Sequence, residues 1–381
     1  MRALMTFIAL LLSGGSFVNG QEEKTRPRVP PSLKLFDYSS TSKIGTNHSA
    51  DLSGDGRKLV VCGSHGLLTG GWALWDVGTR KRISYGELET GNPWCVAISP
   101  DGKWVAAGGN IMELKLFDAA TGKVRHNLEG HRATVFQTAF TPDGKYLVSV
   151  SSYDCMVRVW SVEDGKPYAR YCFTPSVLVK DTDKWRTQPD RPHEVPRVDV
   201  IFDTPIFHPY WFAISPDGKF LAVAVGTKEA WILETLTGKR IRKIETKQLG
   251  HTLATAFSKD GSLLAIGDGK DTGKCEIWDW QRNTLVQTLT RHQGSIYCIA
   301  FGIDNKTIVA GGFDGVRIWD IKSGRCMHNL QNYGEYESDV HSVVFNPDGR
   351  TFMSLHYGEP VRFWDAATGK SFEPKSGIGT K

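Results

Sequence analysis

The sequence predicts an all-β fold of seven repeated sheets, and three observations support this prediction. A hairpin turn recurs seven times along the 381 residues. Many of the strands that follow it end in a pair formed by an aromatic and an acidic residue. The chain contains 40 Gly and 12 Trp, and its Gly content exceeds the usual ~7%. This composition, without a long helical pattern, is typical of short strands joined by tight turns.

The recurring turn follows an apolar run and usually ends in Asp-Gly. Pro, where present, pre-sets the backbone dihedral, and Gly or Asn accepts the left-handed conformation that the turn needs. The turn aspartates are Asp55, Asp101, Asp143, Asp217, Asp260, Asp304 and Asp348. They are separated by 46, 42, 74, 43, 44 and 44 residues, so the chain has seven units and one longer interval.

Each unit supplies four short strands. A second apolar run follows the turn, then a Gly-rich or polar bend, and then a third strand that usually ends in the aromatic–acid pair. These pairs are Trp75-Asp76, Phe117-Asp118, Trp278-Asp279, Trp319-Asp320 and Trp364-Asp365, replaced by Trp160-Ser161 and Leu233-Glu234 in units three and four. A further turn, often Thr-Gly-Lys, opens the fourth strand. Four antiparallel strands per ~44 residues are typical of one blade of a β-propeller.

On these turns and pairs, residues 33–374 resemble the WD-repeat family. The resemblance implies a disc-shaped, seven-bladed β-propeller of four-stranded antiparallel blades around a central channel. It also implies a polar network between blades, made by a His before the first strand, a Ser or Thr on the second, an Asp in the next bend and a Trp on the third. The residues that match are His131, Asp154, Trp160, His251, Trp278, Asp314 and Trp319, with Ser149 or Ser151 in unit three and His292 near unit six. We interpret them as structural, because buried polar groups are normally paired.

The two ends of the chain lie outside the repeats. Arg2 and the apolar run of residues 3–12 are typical of a cleavable secretory signal over residues 1–20, too short to span a membrane. Residues 21–32 are charged and rich in Pro and read as an extended leader. Residues 33–38 are largely apolar, and we predict that this strand completes the seventh blade and removes the open edge of the array. Residues 375–381 form a short tail.

A ring of side chains is predicted at the mouth of the channel. The residue seven positions before each turn aspartate opens the innermost strand of its blade, on the face where partners bind in similar proteins. This mouth ring consists of His48, Trp94, Phe136, Tyr210, Leu253, Tyr297 and His341. Polar residues stand two positions earlier in six units: Thr46, Asn92, Thr134, His208, Ser295 and Asp339. Aromatic rings flanked by hydrogen-bonding groups suit the core of a protein interface, although such rings can instead pack between blades.

The long interval between units three and four is the second candidate region. Residues 165–204 contain five Pro, Trp185 and many charges, which favours an extended excursion over one face. It is either a functional segment or a tolerated surface insertion.

Charge and motifs narrow the class of function. The net charge is +5 and no Lys/Arg run indicates nucleic-acid or membrane-surface binding. The seven Cys include no C-x-x-C pair, and several lie in apolar strands as small buried hydrophobes. No phosphate-binding loop, nucleophile elbow, zinc helix or EF-hand loop is present, so we expect no catalytic residues, no metal and no cofactor.

The leading hypothesis is therefore a secreted or periplasmic interaction scaffold that binds protein partners and is a monomer or one subunit of a hetero-assembly. The repeats and the signal segment resemble those of bacterial extracytoplasmic WD40-type proteins. The alternative is a propeller enzyme or ligand-binding protein that uses the insertion as a lid and His48, His208 and His341 as acid–base or metal groups. A third possibility, a non-catalytic part of a larger envelope assembly, is not distinguishable from the first by sequence.

Overall fold

The computed structural model describes residues 46–64, 70–88, 91–151, 153–174, 196–202, 208–270, 272–330, 339–356 and 361–372. The described residues form seven antiparallel blades and contain no α-helix. This confirms the predicted all-β, seven-bladed propeller. The signal, the leader, the closing segment 33–38 and the tail lie outside the described residues and stay predictions.

Blades one to three follow the predicted order from the channel outward. Blade one contains Thr46–Leu52 (β1), Lys58–Ser64 (β2), Gly70–Asp76 (β3) and Arg82–Leu88 (β4). Blade two contains Pro93–Ile98 (β5), Trp104–Gly109 (β6), Leu114–Asp118 (β7) and Val124–Asn127 (β8), with a 3₁₀ turn at Asn110–Met112. Blade three contains Gln137–Phe140 (β9), Tyr146–Ser151 (β10), Met156–Ser161 (β11), Pro167–Cys172 (β12) and Val198–Ile201 (β13).

Blades four to seven repeat the pattern. Blade four contains Trp211–Ile214 (β14), Phe220–Ala224 (β15), Glu229–Glu234 (β16) and Arg240–Glu245 (β17). Blade five contains Thr252–Phe257 (β18), Leu263–Asp268 (β19), Cys275–Asp279 (β20) and Thr284–Leu289 (β21). Blade six contains Ile296–Phe301 (β22), Thr307–Gly312 (β23), Gly315–Asp320 (β24) and Cys326–Leu330 (β25). Blade seven contains Val340–Phe345 (β26), Thr351–His356 (β27), Arg362–Asp365 (β28) and Ser371–Phe372 (β29).

The Asp-Gly turn joins the first two strands of each blade, as the sequence predicts. In blade two, the Ser99 hydroxyl donates to Asp101 Oδ1 at 2.7 Å and the Gly102 N–H donates to the Ser99 carbonyl at 2.8 Å. Gly102 has a φ of 69° and Asn305, at the same place in blade six, has a φ of 53°. Both values lie in the left-handed region that Gly and Asn tolerate best.

The core is divided into seven layers, each between two neighbouring blades. The layer between blades seven and one contains Leu59 and Trp75 from one side and Met353 and Phe363 from the other. Across the same interface the Ser342 hydroxyl donates to the Ala50 carbonyl at 3.0 Å. The described blades therefore close into a ring by packing, and the fourth place in blade seven is held by Ser371–Phe372.

Blade three differs from the others because it has a fifth strand. Pro167–Cys172, which the sequence assigned to the insertion, is the ordinary fourth strand of this blade, so the insertion starts later than predicted. Val198–Ile201 returns from the insertion and pairs in parallel with that strand. Arg170 holds the added strand through two hydrogen bonds to the Asp199 carboxylate, one of them from Nε at 2.9 Å. Residues 175–195 lie outside the described part, and the lid hypothesis is not addressed by it.

Among the described residues, no helix combines the length and the apolar character needed to cross a membrane.

Candidate functional site

The mouth ring is built by a repeated irregularity at the start of the innermost strand. In blades one, two, five, six and seven the ladder with the second strand skips one residue, which is His48, Trp94, Leu253, Tyr297 and His341 respectively. In blade three, the N–H of Phe136 donates to the Val150 carbonyl, and Val150 also pairs with Gln137. Tyr210 and Ala224 are related in the same way in blade four. Such β-bulges turn a side chain away from the regular pleat.

These seven side chains all line one cavity of about 320 Å³ at the centre of the propeller. His48 and Leu253 are buried, and the other five are half-buried. The residues that sequence register grouped together are thus brought together in space.

Aromatic contacts join mouth-ring residues of blades one and two, and of blades six and seven. The His48 and Trp94 rings are 4.9 Å apart in an edge-to-face arrangement, and the Tyr297 and His341 rings are 6.1 Å apart. His341 also lies close enough to His48 to influence its ionisation. We call these four residues of blades six, seven, one and two the aromatic arc. Blade five has Leu253 in the equivalent place, so the arc is absent there.

Burial keeps the two arc histidines uncharged at neutral pH. Burial, with a smaller contribution from His341, lowers the pKa of His48 to about 4. Burial also lowers the pKa of His341 to about 4. In the opposite sense, burial raises the pKa of Asp339, two residues before His341, to about 6. The arc is therefore a neutral, apolar surface with aromatic edges.

His251 differs in register from the other histidines that the sequence assigned to the structural network. It stands nine residues before its turn aspartate, like His208 and Ser295, whereas His131 and His292 stand twelve residues before theirs. Its ring lies 5.8 Å from the Tyr210 ring, and only its backbone N–H contacts the network, donating to Asp268 Oδ1 at 3.0 Å.

Polar side chains of the channel wall serve mainly to join blades. Gln137 of blade three exchanges two hydrogen bonds with the backbone of Phe212 in blade four. The Thr255 hydroxyl of blade five donates to the Ala222 carbonyl of blade four at 3.4 Å. Deeper in the channel, Asp51 accepts the N–H groups of Leu52 and Ile98 at 2.9 and 3.1 Å. What remains for a binding partner is chiefly the aromatic mouth.

The structural network of blade three has the geometry that the resemblance implies. His131 Nδ1 lies 2.8 Å from Asp154 Oδ2, and its Nε2 lies 2.8 Å from Ser149 Oγ. The Trp160 indole donates to the same hydroxyl at 2.9 Å. Every member has a partner, which fits a structural role.

Blades five and six use different residues for the same purpose. In blade six, His292 Nδ1 lies 2.5 Å from Asp314, but the Trp319 indole donates to the Thr290 carbonyl because Ala310 replaces the network serine. In blade five, the Trp278 indole donates to the buried Glu276 carboxylate at 2.9 Å. That carboxylate also accepts the N–H of Lys247 at 2.8 Å.

Sequence reasoning missed a set of buried charges at one register position. Two residues before the strand-ending aromatic residue, five blades bury a charged side chain: Lys115, Arg158, Glu276, Arg317 and Arg362. Lys115 forms an ion pair of 2.6 Å with Glu113, and Arg317 forms one of 2.6 Å with Asp314. The sequence contained a pattern that could have identified them, because each charge interrupts an apolar third strand at the same register.

The residues of the alternative hypothesis occupy the mouth at separate blades. His48 and His341 belong to the aromatic arc, whereas His208 lies between blades three and four, its Nδ1 atom 3.7 Å from Cys155 Sγ. In the part of the chain that the structure describes, no three His, Cys, Asp or Glu side chains form a group able to hold a metal ion.

Exposed apolar side chains extend the mouth outward. Met112, Tyr153 and Phe313 are 47–48% exposed and lie in bends between second and third strands, on the face that carries the mouth ring, which we call the mouth face. The Tyr153 ring is 5.7 Å from the Phe136 ring of the mouth ring. Apolar surface of this kind around a cavity marks interaction sites.

Comparison with known families agrees with the repeat. The family model described as "WD domain, G-beta repeat" matches residues 83–110, 122–161 and 283–320. These segments lie in blades one to three and in blades five and six.

Similarity to individual proteins extends over much of the propeller. The chain is 25% identical to apoptotic protease-activating factor 1 of Rattus norvegicus over 305 residues, which are 77% of this chain and 21% of that protein. It is 28% identical to pre-mRNA-processing factor 19 homolog 2 of Arabidopsis thaliana over 252 residues, 64% of this chain and 40% of that protein. A WD repeat-containing protein of Synechocystis sp. is 32% identical over 149 residues, 38% of this chain and 40% of that protein. The chain thus spans only a minor part of these relatives.

Proposed function

Because the chain carries WD40 repeats that fold into a seven-bladed propeller, we propose that it is a non-catalytic scaffold that binds protein partners through the mouth face. The observation that carries this proposal is that the seven side chains at the start of the innermost strands, five of them at β-bulges, line one cavity. A rigid ring of aromatic side chains supplies contact area at a low cost in conformational entropy, as interface hot spots do.

Two further observations support this proposal. WD40 propellers generally bind protein partners. The polar groups of the channel wall are largely hydrogen-bonded to neighbouring blades, as shown by Gln137 and Thr255. Apolar contact is therefore the main interaction that the mouth offers to a partner.

We further propose that the scaffold acts in the secreted space or the cell envelope. The support is the sequence of residues 1–20, with Arg2 before a short apolar run. N-terminal sequencing of the protein from its native cells tests this point separately. A new N-terminus near Gln21 is expected, and an intact Met1 in a cytosolic fraction would contradict it.

The binding face is tested by a triple variant, Trp94→Ala, Tyr210→Ala and Tyr297→Ala. These side chains lie on three different blades and are half-buried, so we expect the propeller to fold and the partner to be lost. The matched control changes Ile83, Tyr85 and Val286 to Ala, all exposed on outer strands.

The measurement is crosslinking and mass spectrometry of the full chain in its native cells, with circular dichroism of each purified variant. Partners that crosslink to wild type and to the control, but not to the folded triple variant, support the mouth face. An unchanged set of partners with the triple variant refutes it.

A further inference from the structure

Exposed cations cluster on one side of the described mouth face, and this gives the chemistry of its partner. We infer that the face fits a protein segment in which an apolar side chain is flanked by acidic residues. The apolar side chain enters the mouth against the aromatic arc, and the acidic residues contact a cluster of Lys and Arg on blades four to six. This inference rests on the proposed function and specifies its partner.

The basic sector consists of Lys228, Lys247, Lys270 and Arg291. They lie in four connections, β15–β16, β17–β18, β19–β20 and β21–β22, all of which emerge on the mouth face. All four side chains are exposed. Within the described chain, the ion pairs found include none of these four cations.

The acidic groups nearest to this sector in the fold are already engaged. Asp268 is fully buried and accepts the N–H groups of Gly250 and His251. Glu276 is likewise buried and accepts backbone N–H groups and the Trp278 indole. Glu229 pairs with Lys243 at 3.2 Å. Glu245, two residues before Lys247, also pairs with Lys243 at 2.8 Å. These four carboxylates keep their charge, so among the described residues the four sector cations together with Lys243 exceed them by one positive charge.

The pKa of His251 agrees with this excess of positive charge. Burial lowers the pKa of His251, and the charge of nearby Lys270 lowers this pKa by more than the charge of Asp268 raises it. Arg291 in addition has a φ of 118°, a conformation that non-glycine residues rarely adopt and that is concentrated at functional sites.

The sector is centred on blade five, where the mouth residue is not aromatic, and it adjoins the arc at blade six. Leu253, the mouth residue of blade five, stands between Lys247 and Lys270 in the chain, while the arc occupies blades six, seven, one and two. On the arc side, Lys115 is buried against Glu113. The sector cations thus lie on blades four to six, beyond the part of the arc on blades seven, one and two, and complementary charge would fix the orientation of a bound segment.

A protein segment fits this arrangement better than a nucleic acid or a membrane surface. Four exposed cations lie on one side of an apolar cavity, and the described residues of the face form no continuous basic groove. Nucleic-acid affinity requires many phosphate contacts, and stable attachment to anionic lipid requires a larger polybasic cluster.

The test uses short fluorescein-labelled peptides and fluorescence anisotropy with the full chain. One peptide carries Phe and Leu between glutamates, a second has Gln at each Glu, and a third has Lys. In salt of about 0.05 M we expect the acidic peptide to bind at least about tenfold more tightly than the Gln peptide, and this advantage to vanish near about 0.5 M. Equal affinity for the Glu and Gln peptides would overturn the inference.

Lysine-to-glutamate variants test where the acidic peptide contacts the protein. Lys247→Glu with Lys270→Glu is expected to remove the advantage of the acidic peptide. Lys103→Glu with Lys219→Glu changes two exposed lysines in the turns of the opposite face and should leave it intact. An unchanged advantage in the mouth-face variant would place the acidic contact elsewhere and overturn the inference.

Two outcomes separate this inference from the proposed function. If the Trp94, Tyr210 and Tyr297 variant loses its cellular partner but the peptides do not differ, the scaffold proposal stands and the acidic partner is wrong. Tighter binding of single-stranded oligonucleotide or of phosphatidylserine vesicles than of the acidic peptide likewise rejects an acidic protein segment.

Discussion

The side chain of Gln137 in blade three exchanges two hydrogen bonds with the backbone of Phe212 in blade four. Its Nε2 donates to the Phe212 carbonyl at 3.1 Å, and its Oε1 accepts the Phe212 N–H at 2.8 Å. These two residues are 75 positions apart in sequence, and the link spans the interface at which the insertion leaves the ring. The amide of Gln137 thus completes a backbone pairing that the first strand of blade four lacks on that side.

Replacing Gln137 with Ala should therefore weaken the interface between blades three and four. The Phe212 backbone groups would lose their partners in a half-buried place, which we expect to lower the free energy of unfolding by about 1–3 kcal/mol. Denaturant unfolding measures this loss. Gln281→Ala, in an exposed turn, is the matched control and should change the midpoint little. Equal midpoints for the two variants would show that the link contributes nothing.

A second prediction concerns two serines on the same strand of blade three. Ser149 and Ser151 are both fully buried, but Ser149 joins His131 and Trp160 whereas the Ser151 hydroxyl has no hydrogen-bond partner among the described residues. Ser149→Ala should lower the free energy of unfolding by about 1–3 kcal/mol, because it leaves the buried His131 ring and Trp160 indole without this partner. Ser151→Ala should be close to neutral. Thermal unfolding of both variants checks this, and similar losses would refute the network's importance.

The repeat allowed much of this structure to be predicted. Seven turns, six of them Asp-Gly and one Asp304-Asn305, locate each hairpin, and counting back from them finds the mouth ring, because register along a strand is fixed by the turn. The β-bulges themselves were not predicted, since nothing in the local sequence of His48 or Trp94 requires an extra residue.

His251 shows where pattern matching and register disagree. Gly250-His251 resembles Gly130-His131. However, His251 stands nine residues before its turn aspartate, whereas His131 stands twelve residues before its own. Register, which identified the mouth residues, groups it with His208 and Ser295 instead. The fifth strand of blade three was beyond such reasoning, because Val198–Ile201 is four residues long and pairs in parallel with a strand that the repeat already completes.

The fifth strand gives a third prediction. Arg170 is buried, and Asp199 supplies its two charge-assisted hydrogen bonds. Asp199→Ala should leave a buried guanidinium without this carboxylate and release Val198–Ile201 from the blade. We expect the free energy of unfolding to fall by about 1–3 kcal/mol. The change should lie toward the lower end of this range because the Asp199 side chain is 28% exposed and the pair is partly solvated.

Hydrogen exchange is the decisive measurement for that variant. Amides of residues 198–201 should exchange faster in Asp199→Ala, while those of Trp211–Ile214 keep their protection. Lys219→Ala removes an exposed ion pair with Asp217 and serves as the control, with an expected change in the free energy of unfolding of about 0–1 kcal/mol. Unchanged exchange at residues 198–201 would mean that backbone pairing alone holds the strand.

The last prediction is the dependence of stability on pH. In the fold the pKa of His48 and of His341 is lowered from 6.5 to about 4. Between these values the unfolded chain binds protons that the folded chain does not, so stability must fall as the pH falls from 6.5 toward 4. Each histidine contributes a slope of about 1.4 kcal/mol per pH unit within this window. His48→Gln with His341→Gln should flatten the profile by the sum of the two.

Asp339 provides the control of opposite sign. Burial raises its pKa from 3.8 to about 6, so here the folded chain binds the additional proton between these values, and acidification favours the fold. Asp339→Asn should therefore raise stability at pH 7 and steepen the acid loss below pH 6, whereas the histidine variant flattens it. Urea unfolding from pH 4 to pH 8 distinguishes the two. Parallel profiles for both variants and wild type would mean that the mouth residues titrate as they do in water, and the neutral aromatic arc would then have to be abandoned.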